Sequence, residues 1–219
     1  MWNSQVIIML LEGIRDTLYM TLASTLFGYI IGLPMGIVLT VTDKDGIRPN
    51  AAVYKVLDVI SNLLRSIPFI ILLIVLIPFT RFVVGRSYGS TATIVPLTIA
   101  AAPYIARMVE SSLKEVDAGV IEAARSMGAS DFQIVTKVML VEARTSLIVG
   151  ATISLGTILG YSAMAGTVGG GGLGDIAIRY GYIRWQTDIM VVTVVLLVIL
   201  FQIFQTIGMK IANRLDRRK

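Results

Sequence analysis

Neither cysteine nor histidine occurs among the 219 residues. Their absence removes the thiolate and imidazole metal ligands, and with them every Ser-His or Cys-His dyad. An enzyme built on this chain would have to work with Ser, Lys and carboxylates alone. Charge is also scarce: Asp, Glu, Lys and Arg make up 15% of the sequence, where soluble domains run near about 25%. The opening segment MWNSQVIIMLLEG carries no Lys or Arg before Arg15 and no small-residue cleavage site after a short apolar core. A cleaved signal peptide is therefore disfavoured, and the first apolar segment is expected to be retained.

What is present is apolar. Hydrophobic residues make up 55% of the chain, and the mean hydropathy of +0.80 places it among integral membrane proteins. A helix needs about 20 apolar residues to cross a hydrocarbon core of about 30 Å. Five stretches meet that length: Thr17 to Val41, Val56 to Phe79, Ala92 to Val109, Ser146 to Ala165 and Ile189 to Gly208. The VIIMLL run before the first is too short to cross and, with Trp2, reads as an interfacial lead-in. The expected fold is an all-α integral membrane protein of five transmembrane helices, residues 1–219 forming one transmembrane domain.

Orientation follows from the basic residues, because Lys- and Arg-rich loops stay cytoplasmic. Lys44, Arg48 and Lys55 lie between spans one and two; Lys114, Arg125, Lys137 and Arg144 between three and four; Lys210, Arg214, Arg217, Arg218 and Lys219 in the tail. The other side has only Arg15, Arg81, Arg86, Arg179 and Arg184. The N-terminus is expected outside and the C-terminus in the cytoplasm. The net charge of +5 is then a topology signal rather than a footprint for nucleic acid.

The longest cytoplasmic loop, residues 110–145, contains IEAARSMGASDF (Ile121 to Phe132). Val120, Ile121, Ala124 and Met127 recur with the spacing of one face of a short helix. Asp117 can cap its start and Gly128 suits the left-handed residue that ends it. Ser130 and Gln133 have the spacing of a capping box that starts a second helix. Ala123 and Ala124 keep one side of this knuckle thin, and Glu122 and Arg125 place charge at its edge. Adsorption to lipid is disfavoured, because the acids of the loop outnumber its cations and anionic headgroups would repel it. Periodicity alone leaves docking to a partner and packing under its own bundle evenly matched.

Glu122-Ala123-Ala124, three residues, Gly128, nine residues, then Val138-Met139-Leu140-Val141 resembles the EAA loop of ABC-importer permeases, E-A-A-x3-G-x9-I-x-L-P. Val138 stands for Ile, and Val141 stands where the family has Pro, which leaves the end of the second short helix open. RSIPFIILLIVLIPFTR, IVPLTIAAAPYIARMVE and GYSAMAGTVGGGGLGDIAIRYGYIR look like the methionine-type members. The resemblance runs from about Gly13 to the tail. It implies a type I ABC importer permease in the cell (inner) membrane, acting as a homodimer, with ATP and Mg held by separate ATPase subunits. It also implies an extracellular substrate-binding lipoprotein, and an ATPase-coupling surface at Glu122, Ala123, Ala124, Arg125, Gly128 and Ser130. Methionine as cargo rests on the resemblance alone.

Further features bear on motion and path. Gly28, Gly32 and Gly36 form a small-residue stripe along span one, and Gly156 and Gly160 repeat the spacing in span four. Packing within the subunit is the preferred reading of the stripe, ahead of a dimer seam. Pro34, Pro68, Pro78, Pro96 and Pro103 each remove a backbone hydrogen bond and allow kinks. Asp58, Ser61, Asn62 and Arg65 form a polar stripe in span two; a hydrated vestibule and an interfacial helix are nearly balanced readings. Arg65, Ser66, Tyr161, Ser162 and Met164 are the path or gate candidates.

The run Gly169-Gly170-Gly171-Gly172-Leu173-Gly174 has phosphate-loop spacing, but Asp175 and Ile176 occupy the places of Lys and Ser/Thr. It is expected to be an adaptable external loop between spans four and five, with a partly re-entrant course as the variant of that reading, and with Tyr180, Tyr182 and Trp185 as interface anchors. An ion-coupled secondary transporter of a small solute is the alternative. It would normally carry intramembrane acids and paired halves, and apart from Asp58 the spans lack such acids.

Overall fold

The computed structural model describes residues 4–215; Trp2 and the basic tail residues Arg217, Arg218 and Lys219 lie outside them. The described residues form helices: α1 Ser4–Thr42, α2 Ala51–Ser66, α3 Phe69–Val75, α4 Ile77–Val84, α5 Ser90–Lys114, α6 Ala118–Ser126, α7 Asp131–Gln133, α8 Leu140–Glu142, α9 Arg144–Ala165, α10 Gly172–Ile176 and α11 Thr187–Leu215. A π-helical turn, Ile134–Met139, joins α7 to α8, and another, Ala177–Tyr182, extends α10. Four helical segments are long and apolar enough to cross a membrane, or five when the bent pair α2 and α3 counts as one.

The α1–α5 pair is the spine. A Cβ on Gly28 would lie 3.0 Å from the Ala101 Cβ, one on Gly32 2.6 Å from the Ala102 carbonyl oxygen, and one on Gly36 2.5 Å from the Ala106 carbonyl oxygen. Because the partners advance in the same order as the glycines, the two helices run parallel. The stripe is thus spent inside the subunit, where hydrogen in place of a methyl lets two backbones approach closely. In span four the repeat divides: Gly156 lies under the Phe201 ring, whereas Gly160 faces open space. Thr152 packs on Gly208 at the other end of the α9–α11 contact, so α9 and α11 run antiparallel.

Two expectations about the spans are corrected. α1 begins at Ser4, so VIIMLL is part of the first long helix rather than a separate lead-in. Leu10, in that run, is buried in a cluster with Leu173, Ile176 and Ile189. Val56 to Phe79 is not one straight helix. It breaks at Ile67 and Pro68, with α2 and α3 bent by 102°. The cause is local: Pro68 pushes Ile67 into extended backbone (φ −80°, ψ 124°) and brings no amide proton to continue the ladder. Pro78 lies in the first turn of α4, where a missing amide costs nothing.

The glycine-rich segment is packed rather than adaptable, which corrects that part of the expectation and leaves its re-entrant part standing. Gly170 and Gly172–Gly174 are buried. Gly170 donates from its backbone to Ala165 O at 2.9 Å, Thr93 Oγ1 donates to Gly170 O at 3.2 Å, and Leu173 N donates to Thr17 Oγ1 at 2.8 Å. Gly169, Gly171 and Gly172 have φ between 75° and 82°, which glycine adopts without Cβ strain. The segment folds back between α1, α5 and α9 as a clamp.

Candidate coupling site and its link to the membrane helices

α6 forms because Asp117 accepts from Gly119 N at 2.7 Å, satisfying an otherwise free amide at the helix start. It ends at Gly128, whose φ of 82° is left-handed. The next helix starts on a complete capping box: Ser130 Oγ accepts from Gln133 N, and Gln133 Oε1 accepts from Ser130 N. Val141 lies within α8, and a single turn residue, Ala143 (φ −79°, ψ 0°), separates α8 from α9. The abrupt stop that proline would impose at that position is absent from this structure.

The inward face of α6 is Ile121 and Ala124, and Ala124 is 5% exposed. Ala124 therefore supports the chain's own core rather than thinning the outer surface. Val120 and Met127, expected on the same face, instead turn outward, 42% and 82% exposed. Val120 lies about 100° and Met127 about 120° round the helix from Ile121, too far to share its contact. The outward surface is Glu122, Ala123, Arg125, Met127, Gly128 and Ser130, with Phe132 76% exposed beside them. An exposed Met and Phe between charged residues suit a protein partner better than water.

This knuckle is rigidly mounted. Ala124, Ile134, Met139 and Ala143 share one apolar cluster with Leu113, Val109, Ile105 and Leu97 of α5. Arg125 Nη2 donates to Ile47 O at 2.7 Å, tying α6 to the turn between α1 and α2. Arg48 pairs with Asp131 at 3.9 Å across the same gap. A cavity of about 420 Å³ opens between these elements, lined by Asp43, Ile47, Lys114, Ile121, Glu122 and Arg125.

From that cavity a chain of charges leads into the bundle. Lys114 Nζ lies 2.6 Å from Asp43 and 2.8 Å from Glu110. Arg107 Nη1 donates to Glu110 at 2.7 Å, and its Nη2 donates to Asp58 Oδ1 and, at 3.1 Å, to Asn62 Oδ1. Tyr54 Oη donates to Glu110 at 3.4 Å. The hydrogen bond from Lys114 is the main reason that the Asp43 carboxyl titrates below its ordinary range. Asp58 and Asn62 of the α2 stripe are thus tied to α5 of the same chain, and Ser61 is fully buried, which corrects the hydrated-vestibule reading for Ser61, while Asn62 and Arg65 are exposed. Arg107 and Glu110 were missed by the sequence reading. The available signal was an acid in span two and a base near the end of span three, each needing a partner.

The path candidates do not converge on one point. Arg65 and Ser66 are exposed at the end of α2, with Ser66 Oγ donating to Asn62 O at 2.6 Å. Tyr161 stacks on Phe69 of α3, centroids 4.6 Å apart. Ser162 is buried and donates to Leu159 O, while Met164 is 46% exposed. Tyr182 and Trp185 are exposed, and the Tyr180 ring carries Arg184 at 4.6 Å.

A bundle of apolar helices carrying a capped, welded knuckle at one end has the architecture of the membrane subunit of a transport system. The chain belongs to the family described as binding-protein-dependent transport system inner membrane component, whose model matches residues 19–219. The probable D-methionine transport system permease protein MetI of Vibrio cholerae is 48% identical over 210 residues, 96% of this chain and 93% of the relative. The D-methionine transport system permease protein MetI of Escherichia coli K12 is 54% identical over 158 residues, 72% and 73% of the two chains. A subunit from the inward-facing conformations of the MetNI methionine ABC transporter matches with a TM-score of 0.97 and 50% identity, over 99% of this chain and 100% of that one.

Proposed function

We propose that the chain is the permease subunit of an ATP-driven importer of methionine. The N-terminus lies outside and the C-terminus in the cytoplasm, and two copies of the chain line the path. Two ATPase subunits sit below, and an extracellular binding lipoprotein delivers cargo from above. The carrying observation is the outward face of α6, presented on a core continuous with α5. Glu122, Ala123, Arg125, Met127, Gly128 and Ser130 offer the ATPase a surface whose displacement moves the bundle.

On this reading ATP binding draws the paired α6 helices together and switches the bundle from inward-open to outward-open. A shift of a two-state population from 1:99 to 99:1 takes about 5.5 kcal/mol. A compliant mounting would dissipate that, so the packing of Ala124, Ile134 and Met139 under the knuckle matters as much as its surface. The relatives' printed names and the close likeness to a methionine transporter support the cargo assignment. The test is co-expression with the ATPase and binding protein, purification by a tag on this chain, and ATP hydrolysis in liposomes. Co-purification with methionine-stimulated hydrolysis is expected; co-purification without stimulation would remove methionine, and no ATPase partner would remove the permease reading.

A further inference from the structure

The seam between α2 and α5 contains two polar groups with nothing to bond. Ser61 is 0% exposed and its hydroxyl has no partner; Arg107 Nε is buried and likewise unpaired. An unsatisfied buried polar group is destabilising, and native structures keep few of them without a reason. Here one orphan is on α2 and the other on α5, the two helices that the Arg107 guanidinium joins. Arg107 reaches α2 through Nη2 alone, which touches Asp58 Oδ1, the Asp58 carbonyl and Asn62 Oδ1. Ser61 lies three residues after Asp58, a neighbour on the helix surface of the residue whose carboxylate and carbonyl Arg107 grips. The guanidinium has an unused donor and the helix an unused acceptor at the same seam.

We propose that Arg107 is a two-position latch. In the resting arrangement Nη2 holds Asp58 and Asn62; when α2 shifts against α5, Nε donates to Ser61 Oγ instead. The latch rests on the permease reading above, and deepens it by naming what links the coupling surface to the bent helix. Lys114, Glu110 and Arg107 lie at successive turns of α5, so displacement of the Asp43–Lys114 end reaches the guanidinium through Glu110. Beyond the latch, α2 runs to the break at Ile67 and Pro68, and α3 carries Phe69 onto Tyr161 of α9. Asp58, Ser61, Asn62 and Arg107 are positioning residues: none need touch cargo.

The latch predicts opposite signs for two substitutions in one seam. Ser61→Ala removes a group that makes no bond at rest, so the thermal stability of the nucleotide-free complex holds or rises. It also deprives the shifted state of its acceptor, and both basal ATP hydrolysis and uptake fall about tenfold, as for one charge-assisted hydrogen bond lost from a single state. Asp58→Asn weakens the resting grip and raises basal hydrolysis without methionine. Asn62→Ala acts in the same direction and serves if Asp58→Asn does not fold. A seam that is merely structural would move both classes of variant the same way. The experiment uses the full complex in liposomes, with hydrolysis, uptake and unfolding temperature measured on each variant. Wild-type uptake by Ser61→Ala, or a fall in basal hydrolysis for Asp58→Asn or Asn62→Ala, overturns the latch. If the wild-type chain brings no ATPase with it, the permease reading fails instead, and a wild-type complex without methionine-stimulated hydrolysis loses only the methionine assignment.

Discussion

Arg125 on α6 and the carbonyl of Ile47 are 78 positions apart in the chain and 2.7 Å apart in space. That hydrogen bond makes the turn between α1 and α2 part of the coupling knuckle. Beside it, the knuckle touches the bundle through its apolar underside and the exposed Arg48–Asp131 pair. With it, α6 is tied to the turn that joins the end of α1 to the start of α2, which Asn50 caps by accepting from Val53 N at 3.2 Å.

Arg125→Ala should therefore weaken coupling more than folding. The side chain is exposed, so the lost hydrogen bond is worth about 1 kcal/mol in stability. Uptake per ATP hydrolysed should fall several-fold, and Arg125→Lys, which can still donate once to the Ile47 carbonyl, should recover part of it. Parallel uptake and hydrolysis assays in liposomes check this. Equal ratios in wild type and Arg125→Ala would show that the link carries no motion.

Gly128 gives a graded test of the knuckle's shape. At φ 82° any L-residue is strained, by about 1–2 kcal/mol, so Gly128→Ala should assemble with its ATPase yet couple poorly. Gly128→Pro demands φ near −65° and loses the amide that donates to Arg125 O at 2.9 Å. It should lose co-purification with the ATPase. Glu122→Lys, which leaves the backbone alone and reverses an exposed charge, should reduce methionine-stimulated hydrolysis while keeping the unfolding temperature.

The elements most legible in the sequence were those whose cause is local. Asp117, Gly128 and the Ser130–Gln133 box each act within a few residues, and the structure places them as their spacing predicts. The inward turn of Ala124 and the outward turn of Met127 were less legible, because a nine-residue helix gives periodicity too few turns to define a face. The bend at Pro68 hid inside an apolar run that length alone reads as a span. Hardest of all were Arg107 and Glu110, whose meaning depends on Asp58 and Lys114 arriving from elsewhere. The glycine run misled for a related reason: glycines that loosen a chain and glycines that let backbones touch look alike until the partner backbone is seen.

The α1–α5 spine predicts a sharp contrast among glycines. Gly32→Ala and Gly36→Ala each drive a methyl against a carbonyl oxygen, so the helices must part, at a cost of about 1–3 kcal/mol. Gly160→Ala enters open space and should leave the unfolding temperature in detergent unchanged. Thermal unfolding of the three variants side by side checks this. A destabilised Gly160→Ala beside an unaffected Gly32→Ala would reverse the assignment of which stripe holds the subunit together.

Acid should test the outer end of the charge chain. Asp43 accepts from Lys114 and from the Lys44 backbone amide, and these contacts hold its carboxyl below its ordinary range. A carboxyl depressed in the folded state contributes stability that is fully present above its unfolded value of roughly 3.9 and is lost as pH falls through the lower folded value. Lys114 stays charged throughout that window, and Glu110 shares its ammonium. The stabilising difference between wild type and Asp43→Asn should thus be constant from about pH 8 to pH 5 and shrink only below about pH 4. Unfolding temperatures of both proteins across that range measure it. A difference that already shrinks between pH 7 and pH 5 would mean that the Asp43–Lys114 pair is not what holds the end of α1 to α5.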